Sequence, residues 1–378
     1  MHPSSVPARH TGSSTRQRST PARRLIAALL APVLFTASAW AGTIPVTALS
    51  PIQPASTGTG ITSESDSDAY DYVYVPTTAS QRQNVLVVFL GGSTSTPSSY
   101  TSVTAEAASD GYGAIDLRYP DSTVIGTSCA LSLTPALKNA CFANERGATI
   151  FGSGVAYASG WPTWSSLGVS VTLANSVVNR LVGLLDYLVH TDTARSSYWS
   201  QFLISNGASP YATANEGPVY PNWSKIVIAG HSQGGGHAAF IAAHFSVPGA
   251  IMFSSVNDNV AGASASWVTA SSVTPPARYW GLVNESDLAS NGYSSAVATN
   301  WASLGGVGIG SPTDTATVQI ADGAGAPLGA HRLVTIGPTC ANNAIADLAC
   351  HDSTAVNGAY LTDITAAWDY LFGAAGSQ

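Results

Sequence analysis

Two runs of the sequence, "NVLVVFLGG" (84–92) and "KIVIAG" (225–230), are apolar almost throughout and end in glycine. A strand with one wet face alternates in polarity; a strand covered on both faces does not. Such runs call for a central sheet lying between two layers of helix. "GAIDLRYP" (113–120), "GAIMFSSV" (249–256), "ARYWGLV" (277–283) and "HRLVTIG" (331–337) read as further strands, and "DYVYVP" (71–76) as an alternating one. Between them, "PSSYTSVTAEAASDGYG" (97–113) and residues 166–189, 235–245 and 361–373 read as helices. Strands alternating with helices predict an α/β fold, a mostly parallel sheet with helices on both faces. No repeat of about 20–50 residues is visible, which excludes solenoids and propellers. Residues 121–165, with two cysteines and many Gly, Ser and Trp, read as an elaborated loop.

The start of the chain has a different character. Five arginines (Arg9, Arg16, Arg18, Arg23, Arg24) precede an apolar run from Leu25, and Ala39-Trp40-Ala41 offers a small-x-small cleavage site. Residues 1–41 are therefore expected to be an export signal. The pair Arg23-Arg24 would also suit twin-arginine export. Residues 42–68, rich in Pro, Ser, Thr and Gly, read as a loosely ordered lead-in, and 69–378 as a single domain. The leader holds five of the 14 basic residues and none of the 21 acidic ones, so the mature chain is strongly acidic. That balance argues against a nucleic-acid partner, which requires clustered Lys and Arg. No later stretch is apolar enough to span a bilayer. A secreted or periplasmic monomer is the expectation.

Four cysteines remain after export: Cys129, Cys141, Cys340 and Cys350. Their even number and an oxidising compartment suggest disulfides, and of three pairings the two sequence-local ones, Cys129–Cys141 and Cys340–Cys350, are favoured. No CxxC or HExxH spacing points to a metal.

The segment "VIAGHSQGGGH" (227–237) raises a sharper question. Gly230-His231-Ser232-Gln233-Gly234 follows a strand and opens a helix. A tight strand-to-helix turn strains the backbone at its centre and crowds the positions two residues either side, which explains the glycines. It also holds the Ser232 hydroxyl out at the strand end, beside the free N–H groups of a helix start. A structural turn with a helix-capping serine is the plain alternative.

With this context, the chain resembles the α/β-hydrolase superfamily, and looks most like secreted bacterial serine esterases whose nucleophile motif reads GHSxG. The resemblance covers most of the mature sequence. It implies an eight-stranded, mostly parallel sheet, a Ser–acid–His triad in that chain order, and an oxyanion hole of two backbone amides. Asp287, just past "RYWGLVNES", is the expected acid, with Glu285 and Asp258 as rivals. His351, after the last strand and beside Cys350, is the expected base; His331 begins that strand, at the opposite end of the sheet. His237, His190 and His244 read as packing or surface residues. The N–H groups of Gln233 and of Ser93 are the expected oxyanion donors, with Gly92 next to Ser93 as the alternative.

The resemblance implies ester cleavage through an acyl-enzyme, with no metal or organic cofactor. Lipid and polyester are among the candidate substrates, and Phe151, Tyr157, Trp161 and Trp164 either present an aromatic surface to them or pack the loop. An exported peptidase or amidase would use the same residues, and a binding protein could keep the fold without the chemistry.

Overall fold

The computed structural model describes residues 44–63, 69–130, 134–165, 168, 170–205, 209–215, 217–288, 293–310, 317–321, 329–337, 339–340, 348–359 and 364–377. The expected export signal, residues 1–41, lies outside them. Among the described residues nine strands form one sheet: β1 (Val46–Ala48), β2 (Tyr72–Pro76), β3 (Leu86–Leu90), β4 (Gly113–Leu117), β5 (Ile226–His231), β6 (Ala250–Phe253), β7 (Tyr279–Asn284), β8 (Val318–Ile320) and β9 (Arg332–Thr335). Their order is β1-β2-β4-β3-β5-β6-β7-β9-β8. β2 runs antiparallel to both β1 and β4; every other pairing is parallel. This is the α/β-hydrolase fold, with a mostly parallel sheet as the sequence predicts, although the described sheet has nine strands where the resemblance implies eight.

The helices that matter here are α1 (Thr101–Ser109), α2 (Ile125–Ala130), α3 (Pro135–Phe151), α4 (Val177–Thr191), α5 (Gln233–His244), α6 (Leu348–Asp352) and α7 (Thr365–Gly376). Because side chains alternate along a strand, β3 feeds two cores. Leu86, Val88 and Leu90 face a core shared with α3, α4 and α5, while Val87 and Phe89 face one shared with α1 and α7. That double burial is the physical source of the unbroken apolar run. No helix among the described residues is long and apolar enough to cross a membrane.

Three expectations need correction. The lead-in over 42–68 is not loose throughout: Val46–Ala48 forms the edge strand β1, and Ile52 and Ile61 are buried. Residues 121–165 are largely helical. Thr134 caps α3 by accepting from the Leu137 amide, and Pro135 takes the first turn, where its missing N–H costs nothing. The pattern is hard to read because the buried face of α3 carries Glu145 and Arg146, so polarity does not mark it. The helix expected from residue 166 begins only at Val177, where Ser176 accepts from the Asn179 amide.

Three buried carboxyls couple this fold to pH. Burial pushes Asp71 up to about 7, outweighing the hydrogen bond from Arg118 and the charges of Arg180 and Arg118. Burial, helped by the Asp369 and Glu106 carboxylates, pushes Asp110 up to about 8. Asp116 is raised well above the ordinary range by burial and by the charge of Asp71. Folded chains keep these protons where unfolded chains release them near pH 4, so the stability they contribute is present in acid and lost as pH rises. The thermal midpoint is expected to fall between about pH 5.5 and 8.5, and Asp110→Asn should shrink that fall; equal slopes in a melting series would contradict it.

Candidate active site

At the end of β5 the chain turns through Ser232, whose φ of 51° and ψ of −118° no ordinary L-residue prefers. Such a conformation costs about 1–3 kcal/mol and persists only where its surroundings over-determine it. A Cβ on Gly230 would run into the backbone of Gly234 and Gly235, and one on Gly234 into the carbonyls of Leu90 and Gly91. Glycine at both positions lets β5, the start of α5 and the end of β3 approach closely enough to hold the turn.

Asp287 lies in a short turn directly after β7, buried, and His351 lies on α6. The His351 Nδ1 donates to Asp287 Oδ2 at 2.8 Å, with Ser294 Oγ a weaker neighbour at 3.3 Å. Ser294 also donates its backbone N–H to Asp287 Oδ1 at 3.2 Å. Burial alone would raise the Asp287 carboxyl, but the hydrogen bonds and charge supplied by His351 and Ser294 outweigh it and hold it below the usual range. Asp287 therefore stays ionised and fixes the proton on Nδ1, leaving Nε2 as the basic nitrogen.

The residue preceding Ser232 packs on this pair. The ring of that residue, His231, packs 4.9 Å from that of His351, centroid to centroid. Among the described residues the Ser232 hydroxyl makes no hydrogen bond, to His351 or to any other group. Asp287 and His351 are thus in contact, the residue before the serine touches His351, and the Ser232 hydroxyl is uncommitted.

A Cβ built on Gly92 would lie 3.3 Å from the Ser232 Cβ, which places the β3 turn against the serine. In that turn the Gly92 amide donates to the Tyr100 hydroxyl at 2.9 Å, and the Thr94 amide to the Asp121 carbonyl at 3.1 Å. The Gly92 carbonyl accepts from the Ser95 hydroxyl at 2.7 Å. Since a peptide unit is planar and trans, that anchor turns the Ser93 N–H the opposite way. Neither the Ser93 nor the Gln233 amide donates to any described group. Of the two expected choices, Gly92 is occupied and Ser93 is free.

The Gln233 side chain has a task that the sequence reading missed. Its Oε1 accepts from the Ser93 hydroxyl at 2.9 Å and from the Ile125 amide, at the start of α2, at 3.0 Å. Its main-chain carbonyl accepts from Arg146 Nη1, on α3, at 3.1 Å. The expected Cys129–Cys141 bridge joins α2 to α3, with 5.6 Å between Cα atoms. Gln233 is therefore gripped at side chain and backbone by two helices that are themselves cross-linked. The second expected bridge, Cys340–Cys350, is also present, with 6.0 Å between Cα atoms, and leads directly into His351.

The rival residues have other work. Asp258 is buried in an ion pair with Arg146, contacting Nε at 2.7 Å and Nη2 at 2.5 Å, and accepts from Trp267 Nε1. Glu285 accepts from Gln319 Nε2 on the surface. His331 stacks on Trp280 before β9. His237 is fully buried and edge-on to Tyr119. His190 caps its own helix turn through the Asp186 carbonyl. His244 packs against Phe240. Trp161 stacks on Phe245, 5.2 Å away at 10°, and Trp164 meets Phe240 edge-on, so these aromatics pack the loop. Tyr293, which no expectation named, is partly exposed with its ring 5.1 Å from that of His351. Arg146, Tyr100, Ser254 and Ser294 were equally unmarked, because each meets its partner across a long stretch of chain that no local pattern spans.

No family model and no curated protein matches this chain. Solved structures similar to it include esterase B from Lactobacillus rhamnosis, at 12% identity and a TM-score of 0.35, covering 71% of this chain and 74% of that one. A C6-C4 SN3 inhibited form of the same esterase aligns at 12% identity and a TM-score of 0.26 over 56% of this chain, which spans only 50% of that one. A ferulic acid esterase from Streptomyces cinnamoneus aligns at 14% identity and a TM-score of 0.30, covering 71% of this chain and 73% of that one.

Removing one member of a buried ion pair strands the other charge, at a cost of about 3–5 kcal/mol. Arg146→Met is expected to destabilise the fold by that amount in urea unfolding, and Arg146→Met combined with Asp258→Leu should recover part of it. A single substitution costing under about 1 kcal/mol, the range of an exposed pair, would show that the pair is not buried in solution.

Proposed function

We propose that this chain is an exported serine hydrolase that cleaves carboxylic esters through an acyl-enzyme on Ser232. The observation that carries the reading is convergence at one sheet edge. A strained serine, two unpartnered amides and a carboxylate-bound imidazole, from segments far apart in the chain, are linked there through the contacts of His231 with His351 and of Gly92 with Ser232, and this supports the reading. A turn that served only to cap α5 would need none of the others, and the Ser232 side chain makes no cap hydrogen bond.

In this reading His351 Nε2 takes the Ser232 proton as the oxygen attacks the ester carbonyl. The serine hydroxyl, free of other bonds, turns to His351 as substrate seats; catalytic hydrogen bonds are commonly long before it does. The Ser93 and Gln233 amides receive the oxyanion, each contributing about 3–4 kcal/mol to the transition state. Asp287 stabilises the imidazolium without taking its proton. Water, activated by the same imidazole, then releases the acid. Neither metal nor organic cofactor is required. Two disulfides and the basic, apolar start of the chain support export to an oxidising compartment.

A fluorophosphonate probe is expected to label the protein at Ser232 and to leave Ser232→Ala unlabelled. On p-nitrophenyl esters of rising chain length, Ser232→Ala should abolish turnover, and Asp287→Asn should lower kcat by about 10⁴-fold through loss of the correct imidazole tautomer. Labelling that persists in Ser232→Ala, or no turnover of any ester by the wild-type chain, would reject this function.

A further inference from the structure

We propose that Tyr100 and His231 form a positioning relay that sets the oxyanion amide and the base relative to the Ser232 hydroxyl. The inference rests on the serine-hydrolase reading above and assigns the residue between Gly230 and Ser232 a task of its own.

Three hydrogen bonds run in one direction. The Gly92 N–H donates to the Tyr100 hydroxyl at 2.9 Å, that hydroxyl meets His231 Nδ1 at 3.1 Å, and His231 Nε2 meets the His351 carbonyl at 2.9 Å. A carbonyl can only accept, so Nε2 carries the imidazole proton and Nδ1 must accept from Tyr100. Burial, with His351 beside it, pushes His231 down to about 3, and burial pushes the Tyr100 phenol up. Both groups are neutral at any pH where an ester hydrolase works, which leaves the direction unchanged.

Each end of the relay grips main chain next to the chemistry. Gly92 precedes Ser93, whose amide is free, and at the other end the carbonyl belongs to His351 itself. That carbonyl also accepts from Ser254 Oγ at 2.8 Å, so both its lone pairs are filled while Asp287 holds the ring. His231, in the middle, is covalently joined to Ser232. The oxyanion turn, the nucleophile and the base are therefore tied by a rigid ring offering an acceptor on one side and a donor on the other. Every member is buried: Tyr100 is 1% exposed and His231 2%. Burial shields these bonds from bulk solvent.

A structural role would lower stability and leave turnover per folded molecule unchanged. A positioning role lowers kcat with little change in KM, since a misplacement of about 1 Å costs up to about 10²-fold in the transition state. The test titrates active sites to completion with a fluorophosphonate, using Ser232→Ala as the blank. It then measures kcat and KM on p-nitrophenyl butyrate per titrated site, with the unfolding midpoint of each variant. Tyr100→Phe and His231→Leu are expected to lose about 10- to 100-fold in kcat with KM within about twofold. His231→Gln, whose amide can still donate toward the His351 carbonyl, should recover most of the loss. Should His231→Leu fail to fold, Tyr100→Phe, which removes a single oxygen, decides the matter. Wild-type kcat per titrated site in Tyr100→Phe, whatever its stability, would overturn the relay while leaving the Ser232 reading intact. Absence of Ser232-dependent labelling in the wild-type chain would overturn both.

Discussion

The rest of the structure is arranged around one close approach of backbone to backbone. Where β5 ends, the carbonyls of Leu90 and Gly91 lie so near Gly234 that no side chain fits, and Gly230 is pressed as tightly against the start of α5. Only that contact permits the conformation at Ser232, and its strain of about 1–3 kcal/mol would relax in a looser setting. The parallel pairing of β5 with β3 and β6 supplies the rigidity on either side. Arg146 adds to it, since its guanidinium fills the space a Cβ on Gly236 would need. Sheet register, glycine placement and a buried cation thus act on the same turn.

Charge is used sparingly, and its placement follows from that turn. Charged residues make up 9% of the chain, yet Arg146, Asp258 and Asp287 are all buried near it. Isolated ions there would be expelled or neutralised; these persist because each has a partner at hydrogen-bond distance. His231 shows the opposite solution. Lacking a carboxylate it stays neutral, and a neutral ring can both give and accept a hydrogen bond, which an imidazolium cannot. Two histidines in ring contact are therefore held in different ways, since only one of them touches an acid.

Much of this was legible in the residues, for reasons that can be named. Strands buried on both faces declare themselves as apolar runs, so β3, β5, β6 and β7 could be located. Asp287 and His351 are what the resemblance implies at the ends of two recognisable strands, and the structure joins their side chains by a hydrogen bond. What was hidden depended on contacts that are distant in sequence or atypical in polarity. α3 was read as loop because its inward face carries Glu145 and Arg146. Edge strand β1 has three residues and a mixed pattern, too short to stand out. The Gln233 side chain looked incidental, since nothing local shows that Ser93 and Ile125 will both reach its oxygen.

Those hidden contacts change how the region between β4 and α4 should be understood. By composition it resembles ornament, a long connection held by a disulfide. In three dimensions its two cross-linked helices both hold Gln233, α2 through the side chain and α3 through the main chain. A disulfide chiefly restricts the unfolded ensemble, but this one also fixes the spacing of two groups that meet on one residue. Because the Gln233 amide opens α5 immediately after Ser232, freedom in that helix pair would pass directly into the direction of its N–H. Donors aimed at a developing charge are effective only when they need no reorganisation. On the proposed function, the extended connection is better regarded as the outer support of the oxyanion donors than as an insertion beside them.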